Sequence, residues 1–121
     1  MRNSSFQDLR VWQDAMKLTE EVYRQTAGFP KHEVYALSQQ IRRAAVSVPS
    51  NIAEGKGRCS DRDFVRFLLV ARGSLLELET QVIIAQKLGY AQEGADCLLG
   101  MAETVGRALS GLIKSLNEQA A

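Results

Sequence analysis

Apolar residues recur at steps of three and four along four stretches of the chain, a spacing that is typical of amphipathic helices. The first two stretches predict helices over roughly 6–27 and 33–54. The third predicts a helix over roughly 61–88, and the fourth over roughly 92–117. No stretch shows the alternating pattern of a half-buried strand. The pattern therefore predicts an all-α fold.

The connections between these stretches are short and contain residues that end helices. Gly28 and Pro30 end the first stretch, and Gly55 ends the second. Ser60 precedes the third stretch and is expected to cap it, with acidic residues in the first turn. Short connections make neighbouring helices antiparallel, so we expect an antiparallel up-and-down four-helix bundle, one domain over residues 1–121.

Pro49 lies inside the second predicted helix. Proline lacks a backbone donor and pushes against the carbonyl four residues earlier, so we expect a bend there, or a break with a capped restart. Asn51 and Glu54 follow this kink, and two roles stay open for them. Either they bond the backbone groups freed by Pro49 and hold the next loop to the third helix, or they line a site with Arg43 and Arg58.

The third predicted helix carries a second apolar stripe, turned about 130° from its core stripe. Such a stripe is explained either by burial on two sides of a thick bundle or by a subunit interface, and we favour self-association. Arg72 lies beside the stripe, where an interface ion pair with Glu79 or an equivalent acid is expected. The members of the second stripe are Val65, Leu69, Leu76 and Ile83.

The net charge of the whole chain is close to zero, but the basic residues are concentrated in one part of the sequence. Fifteen basic residues face 14 acidic ones, a net charge of +1 that by itself indicates no nucleic-acid partner. Residues 42–72, however, hold seven basic residues against three acids. Two interpretations stay open: an edge that contacts phosphates, or a solvated surface that the acids neutralise. The candidate nucleic-acid-binding residues are Arg43, Lys56, Arg58, Arg62 and Arg66.

No catalytic or metal-binding arrangement is recognisable in the sequence. A carboxylate-bridged metal pair in a bundle needs Glu-x-x-His on two helices, whereas the single histidine, His32, lies at a turn. The two cysteines have no CxxC partner, and the loop around Lys56 lacks the spacing of a phosphate-binding loop. We therefore expect no enzyme activity, no metal and no cofactor.

The chain also lacks the long apolar runs that target proteins to membranes or for secretion. The polar first residues do not match a signal peptide, and the longest apolar run, over 67–71, has five residues. A cytoplasmic protein without a membrane partner is expected.

Several segments together resemble a known family, and the one around Pro49 is the most specific. The family is that of bacterial four-helix-bundle proteins associated with intervening sequences in large-subunit ribosomal RNA genes, relatives of which serve as accessory proteins of diversity-generating retroelements. The segments include Phe6-Gln7-Asp8-Leu9, Gln40-Ile41-Arg42-Arg43-Ala44-Ala45, Ser47-Val48-Pro49-Ser50-Asn51-Ile52-Ala53-Glu54-Gly55 and Ala71-Arg72-Gly73-Ser74.

The resemblance implies a left-handed four-helix bundle that assembles into a homopentameric ring. It leaves two functions open for this chain. One is an accessory protein that binds structured RNA or DNA, together with a protein partner such as a nucleic-acid enzyme. The other is a protein-interaction scaffold that binds no nucleic acid. The retroelement relatives are strongly basic, whereas this chain is nearly neutral.

Overall fold

The computed structural model describes residues 5–120, and its four α-helices confirm the all-α prediction. Short 3-10 turns precede the first two helices, at Phe6–Asp8 and Lys31–Glu33. None of the helices within the described part of the chain combines the length and apolarity needed to cross a membrane. The helices are α1 (Arg10–Thr26), α2 (Leu37–Lys56), α3 (Asp61–Lys87) and α4 (Ala95–Ala120).

The helix starts differ from the prediction where local turns replace the first helical residues. The expected start of α2 near 33 is wrong by four residues, because the chain forms a 3-10 turn and then a second turn before Leu37. Val34, which lies within the predicted second helix, is consequently in a turn and exposed. The start of α4 moves from 92 to Ala95, because Ala91 takes the left-handed conformation with φ 48°.

The four helices surround one apolar core. Each helix packs against its two neighbours, α1 against α2 and α4, and α3 against α2 and α4. This ring of contacts and the short connections are those of an up-and-down bundle. Every helix supplies fully buried side chains to the centre, for example Leu18, Ile41, Leu68 and Leu109.

Helix α2 runs without a break through Pro49, so the expected break with a restart does not occur. Proline removes the helical donor for the carbonyl of Ala45. The hydroxyl of Thr19, on α1, lies 3.2 Å from that carbonyl oxygen and 2.8 Å from the Ala15 carbonyl oxygen, so its single proton is shared between the two acceptors. A neighbouring helix therefore supplies the donor that proline lacks.

The end of α2 lies directly against α3 because Gly55 has no side chain. A Cβ atom at this position would come within 2.7 Å of the Phe67 Cβ and 2.9 Å of the Phe64 Cδ1. These distances are shorter than atoms tolerate, so only glycine allows the contact. The close approach fixes how the α2–α3 turn projects from the bundle.

Candidate nucleic-acid interface

Four of the five candidate basic residues meet at the turn between α2 and α3. Lys56 ends α2, Arg58 lies in the turn, and Arg62 and Arg66 lie on the first two turns of α3. We call these four residues the basic turn. Arg43 lies 13 residues before Lys56 on α2, which is about 20 Å at ~1.5 Å per residue. The five residues therefore do not form one continuous edge.

Acidic neighbours neutralise only part of the basic turn. Arg58 bonds Glu54 with 2.9 Å between Nη2 and Oε2, while Arg66 lies 3.6 Å from a carboxylate oxygen of Asp63. Lys56 and Arg62 form no ion pair with any residue in 5–120. Because exposed pairs of this kind are weak, the arginines can exchange their carboxylates for phosphates.

A half-buried phenylalanine orders two of these arginines, a contact that the sequence pattern did not reveal. The guanidinium carbon of Arg58 lies 4.6 Å from the centroid of the Phe67 ring, and that of Arg66 lies 6.0 Å from it. Cation–π attraction at such distances contributes about 0.5–1 kcal/mol at exposed sites. In the sequence Phe67 is only the first residue of the apolar run 67–71, so its contact with the arginines depends on the tertiary structure.

The N-terminus of α3 adds positive potential to the same region. The Ser60 hydroxyl accepts a hydrogen bond from the backbone N–H of Asp63 at 3.1 Å, which confirms the predicted cap. The unpaired N–H groups of a helix start carry a partial positive charge. Asp61 and Asp63 occupy this first turn and lower the net positive charge there.

Asn51 and Glu54 match each of the two sequence interpretations only in part. Asn51 donates to the backbone carbonyl of Ser47 at 2.8 Å and lies 3.0 Å from its hydroxyl, so it does not serve the carbonyl freed by Pro49. Ser47 in turn bonds Ser74 of α3, with 2.8 Å between the hydroxyl oxygens. This chain of bonds joins α2 to α3, and Glu54 is used by Arg58 rather than by Arg43.

Arg43 lies in a polar cleft between α2 and α3. The cleft has a volume of about 360 Å³. The sequence pattern linked Arg43 to the basic turn and gave no indication of this cleft, because the α2 and α3 residues that line it are at least 30 positions apart in the chain. We call it the α2–α3 cleft. Its walls are formed by Gln40, Arg43, Ala44, Ser47, Glu77 and Gln81.

The second apolar stripe of α3 is largely exposed in the single chain. Leu69 is 43% exposed, Leu76 60% and Ile83 40%. Val65 is buried in the core, so the assignment of this residue to the exposed stripe is wrong. Ile83 lies about five helical turns later on the same side of α3 and is exposed, so the burial of Val65 comes from packing near the start of α3 and not from its place on the stripe. Val70 and Ile84 are exposed beside the three remaining residues.

Arg72 and Glu79 line a groove of about 590 Å³ between α3 and α4. They form no ion pair with each other within the chain, although both are only partly exposed. Burial raises the pKa of Glu79, and the negative charge of Glu103 on α4 adds to the effect. Glu103 is itself paired with Arg107. Arg72 and Glu79 therefore stay available for groups outside the chain.

Potential ligands for a metal ion are scattered in the described residues. Within 5–120, no three or more histidine, cysteine, aspartate or glutamate side chains lie together in a way that could hold a metal ion. His32 lies 3.4 Å from the hydroxyl of Tyr90, which donates to Glu33 at 3.0 Å. This contact joins the α1–α2 and α3–α4 connections.

Comparisons with known proteins agree with this architecture. The model of the family described as "23S rRNA-intervening sequence protein" matches residues 7–111. Among solved structures, the chain is similar to a protein of unknown function from the S23 ribosomal protein family of Bacteroides thetaiotaomicron. The TM-score is 0.79 at 19% identity, covering 86% of this chain and 98% of the other, which shows the shared fold. No curated protein matches significantly.

Proposed function

This chain belongs to the 23S rRNA-intervening sequence protein family, and on that premise we propose that it is a non-enzymatic, oligomeric accessory protein that binds structured nucleic acid. The observation that carries the proposal is the basic turn, where Lys56 and Arg62 have no acidic partner in residues 5–120. Phosphates would replace the weakly held carboxylates of the other two arginines.

The assembly that we propose is a homopentameric ring, formed through the exposed stripe of α3. Leu69, Leu76 and Ile83 provide apolar surface that the single chain leaves exposed. The partly buried Arg72 and Glu79 lie next to this stripe, and a neighbouring copy would supply the opposite charge for each. A ring would repeat the basic turn around its axis, which raises affinity for an extended nucleic acid through multivalency.

Binding of labelled structured RNA and duplex DNA across a salt series tests the nucleic-acid proposal. We expect affinity to fall as salt rises, with each phosphate contact on duplex DNA contributing about 0.9 to the slope of log K against log salt. The triple variant Arg58→Ala/Arg62→Ala/Arg66→Ala should weaken binding to every sequence and lower that slope by roughly 2–3.

The matched control removes the same charge elsewhere. Arg24, Lys31 and Lys87 are exposed near the end of α1, before α2 and at the end of α3, so they lie at the opposite end of the bundle from the basic turn. The variant Arg24→Ala/Lys31→Ala/Lys87→Ala loses the same charge as the first triple variant but keeps the basic turn intact, so it should retain binding. Equal losses in the two variants, or no binding by the intact oligomer, would refute a specific role of the basic turn.

Light scattering in the same buffers tests the assembly. A pentamer has a mass of about 67 kDa, five times the 13.4 kDa of the chain. Leu76→Glu should reduce this mass, because a charge would be placed in the proposed interface. Leu88→Glu is the control, since Leu88 is similarly exposed but lies after the last residue of α3. A monomeric wild-type protein would contradict the ring.

A protein-interaction scaffold is the second candidate, and a groove between α1 and α2 favours it. The groove has a volume of about 300 Å³ and a largely apolar lining that includes Trp12, Met16 and Val46. An apolar groove of this kind suits a protein partner, such as an enzyme that acts on nucleic acid. Absence of nucleic-acid binding by an intact oligomer would favour this function.

A further inference from the structure

The α2–α3 cleft contains a buried hydrogen-bond acceptor without a donor. Gln81 is 8% exposed, and its side-chain oxygen Oε1 has no hydrogen-bond partner within residues 5–120. A buried amide oxygen without a donor is unfavourable, and folded proteins leave few such groups. Gln81 lines the cleft, so a rotation of its side-chain amide that exposes this oxygen lets a molecule in the cleft donate the missing hydrogen bond.

Two further groups of the cleft are available to a ligand. Arg43 on α2 and Glu77 on α3 are both exposed, and neither forms an ion pair with another described residue. The cleft thus offers a carboxylate, an amide oxygen and a planar guanidinium with several donors. A ligand that satisfies all three carries two neighbouring donors and at least one acceptor beside them.

The hydrogen bonds beside the cleft hold its walls in place. Ser47 of α2 bonds Ser74 of α3 at 2.8 Å, and Asn51 fixes Ser47 from the next turn. Ala44 is small and buried, which leaves space between the two helices. The volume of about 360 Å³ lies at the lower end of the range of ligand pockets, roughly 300–1,000 Å³, and suits one ring system.

We propose that the α2–α3 cleft binds a guanine base. This base belongs to an unpaired nucleotide of the structured RNA whose phosphates contact the basic turn. Guanine carries donors on N1 and N2 for Glu77 and Gln81, and the adjacent O6 and N7 acceptors suit Arg43. Adenine, cytosine and uracil do not present two neighbouring donor nitrogens beside an acceptor. The inference rests on the proposed nucleic-acid binding.

The position of the cleft agrees with an unpaired base rather than a duplex. Arg43 lies about 20 Å from Lys56 along α2, so an RNA whose stem contacts the basic turn can place loop nucleotides over the cleft. Sequence-specific recognition of RNA acts mainly on such loops, because their bases are free to leave the stack. The phosphates would thus position the RNA, and the cleft would read one base.

Hairpin RNAs that share a stem and differ at one loop base test this inference. We expect wild-type protein to prefer a loop guanine over adenine by about 5-fold to 150-fold, the discrimination of a good bidentate contact. Inosine, which lacks the N2 amino group, should bind with intermediate affinity. Arg43→Ala, Glu77→Gln and Gln81→Leu should bring the ratio of guanine to adenine affinity close to one, whereas Glu20→Gln on α1 should leave it unchanged.

The design separates failure of this inference from failure of the proposed function. The triple variant of the basic turn should weaken binding of every hairpin and keep the guanine preference. Salt-dependent binding without any base preference would overturn the guanine site and leave nucleic-acid binding intact. Titration with guanosine and adenosine monophosphates distinguishes a free nucleotide from RNA as the source of the base. No guanine preference with either the nucleotides or the hairpins would overturn the inference.

Discussion

Thr19→Val tests whether a hydroxyl from α1 supports the proline inside α2. The change removes the donor that lies 3.2 Å from the Ala45 carbonyl, which Pro49 leaves without its helical N–H. An unsatisfied buried carbonyl costs about 1–3 kcal/mol. Because Thr19 is only partly buried and water can reach part of the site, we expect a loss of roughly 1 kcal/mol in the free energy of unfolding.

A double-mutant cycle with Pro49→Ala isolates this contribution. Alanine restores a backbone N–H that can bond the Ala45 carbonyl, so the effect of Thr19→Val should shrink in that background by about 1 kcal/mol. Pro49 is buried, and its replacement also leaves a small gap. The cost of this gap is present with and without Thr19→Val, and the loss of the Thr19 bond to Ala15 is present with and without Pro49→Ala. Both contributions therefore cancel in the coupling free energy of the cycle.

Urea unfolding followed by circular dichroism measures the cycle, at one protomer concentration because assembly changes apparent stability. Thr104→Val is the control, since the Thr104 hydroxyl bonds only the Gly100 carbonyl of its own helix, at 3.2 Å. An equal cost of Thr19→Val in the wild-type chain and in the Pro49→Ala variant would refute the reasoning.

Two further predictions concern the α2–α3 contact and the loop contact of Tyr90. Gly55→Ala should lower the free energy of unfolding by about 1–3 kcal/mol in urea titrations, while Gly111→Ala, which has open space around it, should not destabilise the fold. The bond to Glu33 raises the pKa of Tyr90, so the free energy of unfolding should fall as pH rises above about 10. Glu33→Gln removes this effect and should shift the ionisation of Tyr90 in absorbance titrations to lower pH. An unchanged tyrosine absorbance titration in Glu33→Gln would contradict the effect of Glu33 on the pKa of Tyr90.

The approximate extents of the four helices were predictable because each apolar stripe repeats with the period of a helix. A residue such as Leu68 is buried in any arrangement that covers its stripe. Helix starts were less predictable, since Val34 and Gln92 lie in predicted helices yet belong to turns. Local pattern does not report the backbone conformation that tertiary packing imposes on such residues.

The candidate interface was only partly predictable. The sequence placed Lys56, Arg58, Arg62 and Arg66 close together because they are neighbours in the chain. The contact of Arg58 and Arg66 with Phe67 required the side-chain arrangement at the turn. Hydrogen-bond partners were the least predictable, as the role of Asn51 shows.

The sequence alone determined the fold class, the family resemblance and the concentration of positive charge near residue 58, because periodicity and charge are properties of neighbouring residues. The tertiary structure decided which hydrogen-bond partner each polar group has. Thr19 reaches the carbonyl freed by Pro49 from another helix, and Ser47 bonds Ser74 between α2 and α3. Such pairs are far apart in the chain, and only the packing of the helices brings them within the few ångströms over which hydrogen bonds act.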